Sequence, residues 1–516
     1  MNESVDLPGL NTEPACSPQP KGAAPTRPRV KPIERSQMLW RSIDVEQLVE
    51  ADHPVRAIWA LSGELALESF YAPIEAVEGV AGRMPWDPRL LICLWVYAYS
   101  RGISSAREVA RRCQFDPAFQ WLCGMEPINY HTLSDFRATH DTALKELFVE
   151  VLGVLSAEGL ISLERVMHDG TKIRAEVSRG SFRREETLRT QLQAAREQVE
   201  HLSQEPNPEP SRQQAAQQRA AREREHRVQE ALKQLEQIRI AKRGTEEKEQ
   251  ARLSHTDPEC RVMKQADGGY APSYNVQIST EASHKIVVGV GVTQQGNDYA
   301  ALAPALVQVQ ENLGRTPEQV VVDGGFSSRE NIVKMAAQGI DLIGDFGDQE
   351  AKGVSTVSRH GRSAEFSRSV FEYDAGENVY RCPAGQVLRA AGQTTLSGAV
   401  RHVYRAEAAA CQACSLKGQC CPQAAKGRTL IRVEEAPEVE QFRQKMQTSE
   451  AQKIYRQRAA VAEFPNAWIK QKLGLRRFRL RGLAKVSCEA LWACLTYNIQ
   501  QWIRLCWLPK LAVAQN

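Results

Sequence analysis

The sequence predicts a multidomain α+β protein, and three observations support that prediction. A chain of 516 residues is long enough for two to four domains. A continuous helical pattern comes first, from about residue 36 to residue 160. Strand patterns that end in acidic residues alternate with helices after it, and two insertions of different composition interrupt them.

Composition indicates a globular chain, since 25% of the residues are charged and 42% are hydrophobic. The net charge of +4 alone says little about nucleic acid, because the distribution of charge matters more than its total. Residues 1–35 are rich in proline and polar residues and lack the apolar core of a signal peptide, which predicts a disordered tail and a cytoplasmic protein. The longest apolar run, 90–99, is too short to span a bilayer, so we expect no membrane partner. Thirteen scattered cysteines fit reduced intracellular thiols.

Residues 36–160 are predicted to form a helical N-terminal domain that binds DNA. Asp87-Pro88 is a typical helix start, with an N-cap followed by proline at the first helical position. The arginine-rich helix at 104–113 is followed by a turn at Asp116-Pro117 and by further short helices, which resembles a helix-turn-helix module. A helical domain without a DNA-binding role fits this local pattern equally well.

Two buried strands end in a carboxylate. The first is predicted within 161–181, the first part of the catalytic domain, and delivers Asp169; the second is a run of three valines that ends at Asp323. A carboxylate at such a place is disfavoured unless it is paired, hydrogen-bonded or bound to a cation. Two that converge therefore suggest a divalent metal site. The alternative, that each aspartate only caps the turn after it, stays open.

Residues 182–251 read as a helical hairpin inserted after the Asp169 strand. Apolar residues recur at alternating spacings of three and four, which predicts an antiparallel coiled coil. The pattern favours a solvated charged arm, and a role in dimerisation or in DNA contact is the alternative.

Strand patterns return in 252–346, the continued catalytic domain, with a helix predicted from about Asp298 to Asn312. The order is strand, insertion, two strands, helix, strand, helix, strand. This order matches the mixed sheet of the ribonuclease H-like fold. There the first and fourth strands are neighbours, which would bring Asp169 and Asp323 together.

Residues 347–440 lose periodicity and read as a loop-rich, cysteine-containing insertion with little core. Four of its cysteines could supply a thiolate set for Zn²⁺: Cys382, Cys411, Cys414 and Cys420. Plain reduced cysteines are the alternative.

Residues 441–508 are predicted to be C-terminal helices that carry a third acid and a basic stretch. Glu463 and Lys470 are seven residues apart and share one helix face, and Pro465 predicts a kink or a fresh start at Glu463. Seven lysines or arginines and no acid lie between Phe464 and Cys488, with Trp468 and Phe478 interleaved. This pattern favours nucleic acid as a partner.

These motifs together resemble the DDE transposases of bacterial insertion sequences, in the branch with a Tyr-Arg-Glu-Lys signature. The resemblance runs from about Trp40 to Trp502 and rests on His168-Asp169-Gly170-Thr171, on Val322-Asp323-Gly324-Gly325-Phe326, and on Tyr455, Arg458, Glu463 and Lys470. Four residues separate Arg458 from Glu463, where the family pattern has three, and Glu489 or Glu450 are the substitutes for the third acid.

The resemblance implies a transposase that cleaves at the terminal inverted repeats of its insertion sequence and joins the 3′-hydroxyl ends to target DNA. Two Mg²⁺ ions, replaceable by Mn²⁺, would be held by Asp169 as the shared ligand, with Asp323 and Glu463 holding one each. Double-stranded DNA and a homodimer or higher oligomer are the implied partners. The DNA-contacting residues would be Tyr455, Arg458, Lys470, Arg476, Arg477, Arg479, Arg481 and Lys485. A nuclease without strand transfer and a binding-only relative are the alternatives.

Overall fold

The fold is described by a computed structural model for residues 36, 38, 40, 42–76, 84–204, 211–242, 244–346, 363–396 and 399–514. The predicted tail at 1–35 and the first part of the cysteine-containing insertion lie outside the described residues. Residues 45–516 form one compact structural unit, to which all the elements below belong.

Seven α-helices make up the described N-terminal region. Helix α3, Pro88–Ser100, begins as predicted, because Asp87 Oδ1 accepts a hydrogen bond from the Arg89 backbone N–H at 2.8 Å. Its long apolar run is buried in the main core of the protein, which explains the run without a membrane. The other helices are α1 Pro54–Ser62, α2 Glu68–Tyr71, α4 Ala106–Arg112, α5 Pro117–Cys123, α6 Tyr130–Thr139 and α7 Asp141–Ala157.

A six-stranded mixed sheet follows these helices. Its central strand β1, Arg165–Arg174, pairs antiparallel with β5 and parallel with β7, and β8 continues the parallel pairing on the far side of β7. The other edge of β5 pairs antiparallel with both β6 and β4. The remaining bounds are β4 Arg261–Lys264, β5 Tyr270–Glu281, β6 Val287–Thr293, β7 Gln319–Val322 and β8 Asp341–Gly344.

Helices cover both faces of this sheet. Successive residues of a strand point to opposite faces, so the valine run of β7 serves two cores. Val320 and Val322 pack with α11, Leu302–Leu313, and α12, Arg329–Ala337, whereas Val321 packs on the opposite face against helices from the end of the chain. Burial on both faces fixes the register of β1 against β7 and hence the position of whatever follows each strand.

A helical hairpin occupies the segment in which the heptad pattern lies. It consists of α8, Glu185–Gln204, and α9, Arg212–Ala241, followed by the short α10, Thr245–Glu249. The heptad residues Leu188, Val228, Ala231 and Leu235 are buried between the helices. A two-stranded sheet of β2, Phe182–Arg183, and β3, Leu253–Ser254, closes the base of the hairpin.

The prediction of a loop-rich segment with little core between residues 347 and 440 is wrong about the loops in its described part. Five antiparallel strands form a second sheet there, and it has its own core around Tyr380, Leu388 and Tyr404. The alternation was hard to see because β9 and β10 are three residues long and most of β11 is exposed. The bounds are β9 Glu372–Asp374, β10 Val379–Arg381, β11 Val387–Leu396, β12 Ala399–Ala406 and β13 Thr429–Glu434, with α13 Ala408–Gln412 and α14 Lys417–Cys420 between the last two.

Helices complete the described chain, and one of them carries the predicted third acid. Helix α17, Arg458–Gln471, runs through Pro465 without interruption, so the fresh start predicted at Glu463 is not observed. Helix α18, Leu483–Trp502, is buried along most of its length. No helix in the described ranges is long and apolar enough to cross a membrane. The other helices are α15 Pro437–Met446, α16 Ser449–Arg456 and α19 Leu508–Ala514.

Candidate active site

Two carboxylates lie side by side on neighbouring parallel strands. The register pairs His168 of β1 with Val322 of β7, and the next residue along each chain is the predicted acid, Asp169 or Asp323. Asp323 directly follows β7, whereas the expectation that the first strand ends at Asp169 is wrong, because β1 continues to Arg174 and Asp169 stays paired with Ile278 of β5. Paired strands run about 5 Å apart, so the two aspartates are neighbours. The adjacency expected from the order of the elements is therefore observed.

Asp169 is held in a partly buried, polar environment. Its Oδ1 accepts from the Gly170 backbone N–H at 2.9 Å, and its Oδ2 accepts from Asn466 Nδ2 at 3.1 Å. Burial raises the pKa of Asp169 to about 6; the nearby Asp323 carboxylate raises it further, whereas the Arg458 guanidinium opposes the rise. Ionisation of Asp169 is therefore unfavourable in this environment. A bound cation would relieve that cost, so such a carboxylate binds a cation readily.

Asp323 also stabilises the turn that follows its strand. Its Oδ1 accepts from the Gly325 backbone N–H at 2.8 Å, and its carbonyl oxygen accepts from the Phe326 N–H at 3.1 Å. Turn capping, the simpler interpretation of each Asp-Gly pair, thus describes hydrogen bonds of Asp323, whereas no turn follows Asp169, because β1 continues to Arg174. It does not account for the two carboxylates being neighbours.

Glu463 lies on α17 and is not assembled with the two aspartates. Its side chain is 60% exposed, and its Oε1 is 3.7 Å from Arg458 Nη2. In the part of the chain that the structure describes, no group of three or more His, Cys, Asp or Glu side chains is arranged to hold a metal ion. The helix nevertheless faces the site, because Asn466 and Lys470, on the same face as Glu463, contact Asp169 and Thr171 respectively.

Neither substitute acid takes the place of Glu463. Glu489 is fully buried in α18 and accepts hydrogen bonds from the backbone N–H groups of Arg479 and Leu480 at 2.9 to 3.1 Å, so it anchors the basic stretch. Glu450 is exposed on α16.

The sequence analysis missed Asp298, a further acid beside Asp169. It was included in a predicted helix, but α11 begins only at Leu302, and Asp298 lies in the loop after β6. Its Oδ1 accepts from Asn275 Nδ2 at 2.7 Å and from Gln277 Nε2 at 2.9 Å, and its charge contributes to the raised pKa of Asp169. This role depends on the tertiary fold, which brings the loop after β6 next to β1.

Gly170 makes the approach of Asp298 possible. A Cβ at this position would lie 2.6 Å from Asp298 Oδ1 and 2.7 Å from Gln277 Nε2, which no side chain tolerates without movement. The glycine after Asp169 is therefore required by packing between β1 and the loop that carries Asp298.

His168 packs beside the acids and forms hydrogen bonds within the sheet. Its ring nitrogens lie 2.9 Å from Ser279 Oγ and 3.0 Å from Gln277 Oε1, and its ring packs edge-on to Phe326. Burial lowers the pKa of His168 to about 4, so the ring is neutral at physiological pH. It orients Gln277, which in turn holds Asp298.

The donor chemistry of the site suits a hard divalent cation. Besides the carboxylates, the amide oxygens Asn275 Oδ1 and Asn466 Oδ1 are buried and have no hydrogen-bond partner among the described residues. Carboxylate and amide oxygens are the ligands that Mg²⁺ accepts in proteins, and an orphaned buried oxygen gains from one. The oxygen donors therefore fit Mg²⁺, although Glu463 would have to turn inward to join them.

The predicted DNA-contacting residues fall into two groups. Near the acids, Arg458 is close enough to affect the pKa of both Asp169 and Tyr455, and Lys470 Nζ donates to Thr171 Oγ1. The second group is exposed on the segment between α17 and α18 and at the start of α18, where it includes Arg476, Arg477, Arg479, Arg481 and Lys485.

The aromatic residues interleaved with this basic stretch pack against the protein interior to different extents. Phe478 is buried against Tyr274, with ring centroids 6.0 Å apart. The interpretation of Phe478 as part of a nucleic-acid footprint is therefore wrong. Trp468 is partly buried beside the same core, and its Nε1 donates to Gln500 Oε1 at 2.8 Å.

The four predicted zinc ligands all line one small cavity of about 30 Å³, together with Cys421. Cys382 Sγ accepts from the Gln386 N–H at 3.2 Å, and Cys411 Sγ accepts from the Arg428 N–H at 3.3 Å. Burial raises the pKa of Cys420 and raises that of Cys421 to about 11, so these two thiols are protonated at neutral pH. The thiols share a cavity without converging on one point.

Comparison with known proteins found two matching family models. A model described as "Transposase DDE domain" matches residues 381–503, and one described as "Transposase domain (DUF772)" matches residues 43–139. The first match includes Glu463 but not Asp169 or Asp323, and the second covers the N-terminal helices. A search of curated proteins returned no match. The two matches support a transposase function of the DDE type.

Proposed function

We propose that this chain, which carries matches to two transposase domains, is a DNA transposase that cleaves at the inverted repeats of its insertion sequence and joins the 3′-hydroxyl ends to target DNA. The observation that supports it most directly is that Asp169, within β1, and Asp323, directly after β7, each follow the last residue pair between these adjacent parallel strands. The strand order β6-β5-β1-β7-β8, with β7 and β8 parallel to β1, is the order expected of a ribonuclease H-like sheet.

Asp169, Asp323 and Glu463 would hold the metal in this proposal. Two bound Mg²⁺ ions would supply activation of the attacking oxygen and neutralisation of the leaving one. Strand register holds Asp169 and Asp323 in place. Glu463 would join them by a change of its side-chain rotamer on α17. Asn466 keeps Asp169 oriented through its 3.1 Å hydrogen bond.

Arg458, Tyr455 and Lys470 would contact the DNA backbone near the cut. Arg458 bridges the acids, since it lies 3.7 Å from Glu463 and within electrostatic range of Asp169. A phosphate that enters the site would compete for this guanidinium and release Glu463 toward the aspartates. The arginine would therefore link DNA binding to completion of the acidic set.

The test is incubation of the purified chain with a duplex that carries the flanking inverted repeat, with Mg²⁺ or Mn²⁺, and mapping of strand breaks and joined products. We expect breaks at the repeat end and transfer of the exposed 3′-hydroxyl into a second duplex. Asp169→Asn and Asp323→Asn should abolish both products but leave binding of the repeat intact.

The alternatives predict different products from the same reaction. Breaks without joined DNA would indicate a nuclease of the same fold. Binding without breaks in any divalent metal would indicate a binding-only relative. Absence of both specific binding and breaks would contradict the proposal itself.

We also propose that Cys382, Cys411, Cys414 and Cys420 bind a structural Zn²⁺. The shared cavity and the backbone N–H groups directed at two of the sulfurs support this, because such hydrogen bonds stabilise thiolates around a metal. Metal binding would displace the thiol protons and turn the side chains toward one point. The sheet of β9 to β13 has a small core and would gain stability from the ion.

Metal analysis of the full chain after dialysis tests the zinc proposal. We expect about one zinc per chain, and loss of it in Cys382→Ser and Cys414→Ser. Cys494→Ala is the control, since Cys494 is buried in α18 and lines no part of the cavity. A zinc-free chain in which all five thiols react with a thiol reagent would contradict the proposal.

A further inference from the structure

A cleft of about 690 Å³ opens beyond the carboxyl end of β1. Its walls come from four segments: the end of β1 and the chain after it, the turn between β4 and β5 with the start of β5, the basic stretch between α17 and α18, and Thr256 between β3 and β4. Four arginines line it, and they are Arg174, Arg179, Arg477 and Arg481. Only the last two belong to the stretch that the sequence marks as basic.

The backbone of the basic stretch is fixed against the sheet. Arg174 N–H donates to the Arg476 carbonyl oxygen at 3.3 Å, and Phe478 N–H donates to the Arg174 carbonyl oxygen at 2.9 Å. Buried Phe478 and the Glu489 carboxylate anchor the same segment from the inside. The exposed arginine side chains thus project from a rigid frame, which reduces the entropy lost when they bind a ligand.

The cleft carries an excess of positive charge. Glu176 and Asp267 are the acids among its lining residues, against four arginines. The Arg174–Asp267 ion pair is 3.7 Å long, with both side chains about half exposed or more, so it is weak and easily exchanged for a phosphate. Arg481 Nε donates to the Glu176 carbonyl oxygen at 3.0 Å, and the Arg179 guanidinium donates to the Tyr270 carbonyl oxygen. Each guanidinium has five N–H donors, so further donors of both remain for a ligand.

The cleft is aligned with the acids along β1. Arg174 follows Asp169 by five residues, which in a strand is about 17 Å, or about five base pairs of duplex DNA. Lys470 contacts Thr171, on the face of β1 that carries Asp169, whereas Arg174 is an odd number of residues away and projects from the other face at the end of the strand. A duplex backbone that passes the acids and continues beyond the end of β1 would therefore meet the cleft.

We propose that this cleft binds the phosphodiester backbone of duplex DNA about five base pairs from the scissile phosphate, and that Arg174 and Arg179 are part of that contact. The inference rests on the proposed function and adds a binding site to it. Arginine forks suit phosphate oxygens because they can donate two parallel hydrogen bonds.

The experiment compares Arg174→Gln/Arg179→Gln with the control Arg389→Gln/Arg405→Gln in the full chain. The control removes the same charge from two exposed arginines that are paired on β11 and β12. The readouts are the salt dependence of binding to repeat-containing duplex and interference by ethylated phosphates. We expect the cleft variant to lose about two units of the slope of log K against log salt, and the control to lose none.

Phosphate interference locates the contact. In the wild-type chain, ethylation about five base pairs from the cleavage site should reduce binding, and this effect should disappear in the cleft variant. Arg174→Lys/Arg179→Lys should restore most of the salt slope, which would separate a charge effect from misfolding.

The outcomes separate the two proposals. Unchanged slope and unchanged interference in the cleft variant, while the wild-type chain still cleaves, would overturn the cleft and leave the transposase proposal standing. Interference confined to unpaired flanking strands would also overturn the duplex site. A wild-type chain that neither binds nor cleaves repeat ends would instead contradict the proposed function.

Discussion

The acids on the strands and the acid on the helix are positioned in different ways. Asp169 lies within β1 and Asp323 directly follows β7, and both strands are buried on both faces, so register places the two acids as neighbours. Glu463 projects from α17, is 60% exposed and approaches Arg458 instead. A carboxylate in or next to a paired strand has its backbone fixed by ladder hydrogen bonds, whereas a glutamate on a helix surface can change rotamer at little cost.

The two parts of the site therefore differ in the free energy needed to form them. The strand part is pre-formed, and its cost is the unfavourable ionisation of buried Asp169, which the raised pKa of this residue expresses. Glu463, on the helix, is instead 60% exposed to solvent. We therefore expect substitutions in the two parts to separate activity from stability.

Glu463→Gln should give the largest effect, on activity alone. If Glu463 completes the acidic set, cleavage of repeat ends should fall by on the order of 10³-fold, as for removal of one essential electrostatic group. The free energy of unfolding should change by no more than about 0.5 kcal/mol, because the side chain is exposed. Cleavage rates and denaturant unfolding are the measurements.

Glu450→Gln is the matched control, since Glu450 is an exposed glutamate on the neighbouring helix α16. It should leave both quantities unchanged. Equal cleavage by Glu463→Gln and the wild-type chain would show that Glu463 is not part of the active site.

Asp169→Asn should stabilise the metal-free protein at alkaline pH. The pKa of Asp169 is raised to about 6 by burial, so the folded state resists its ionisation, and the wild-type chain loses stability as pH rises from about 4 to 6. The asparagine variant avoids this loss and should be more stable at pH 8 by up to about 3 kcal/mol, from about 1.4 kcal/mol per pKa unit.

The measurement is denaturant unfolding with a chelator at pH 4 and pH 8. The advantage of the asparagine variant should fall to about 0.5 kcal/mol or less at pH 4, where Asp169 is protonated in the folded state and only about half ionised in the unfolded state. An advantage of equal size at both pH values would show that ionisation of Asp169 is not its cause.

Gly170→Ala should give the smallest effect, on both activity and stability. The new methyl group would lie 2.6 Å from Asp298 Oδ1 and must displace that carboxylate or Gln277. We expect a loss of about 1 to 3 kcal/mol in unfolding free energy, as for overpacking, and about tenfold slower cleavage.

Gly153→Ala is the control for the glycine substitution. Gly153 lies in α7 with open space around its Cα, so alanine there should be neutral or stabilising by up to about 1 kcal/mol. A Gly170→Ala variant as stable and active as the wild-type chain would mean that Asp298 can move away without consequence.

Local sequence predicted the features of this protein that depend on neighbouring residues. The valine run marked β7, the Asp-Pro pair marked the start of α3, and the spacing of Leu188 and its partners marked the hairpin. The order of the strands also predicted that β1 and β7 are adjacent, because few arrangements of that order bury every strand.

The second sheet and the interior of the basic stretch were less predictable. Strands of three residues, such as β9 and β10, are too short to show a period. The burial of Phe478 depends on its contact with Tyr274, which is distant in the sequence, so the local pattern indicates only a basic surface.

By itself, the sequence determined where the buried valine run of β7 ends and Asp323 begins, since periodicity and turn chemistry are properties of adjacent positions. Pairing with β5, which only the tertiary structure sets, decided that β1 continues through Asp169 and Gly170 to Arg174. The tertiary structure alone decided that Asp298 joins Asp169 across the gap left by Gly170, and that Arg174 and Arg179 share a cleft with Arg477. These contacts join segments that lie far apart in the chain, and they depend on distances that only packing sets.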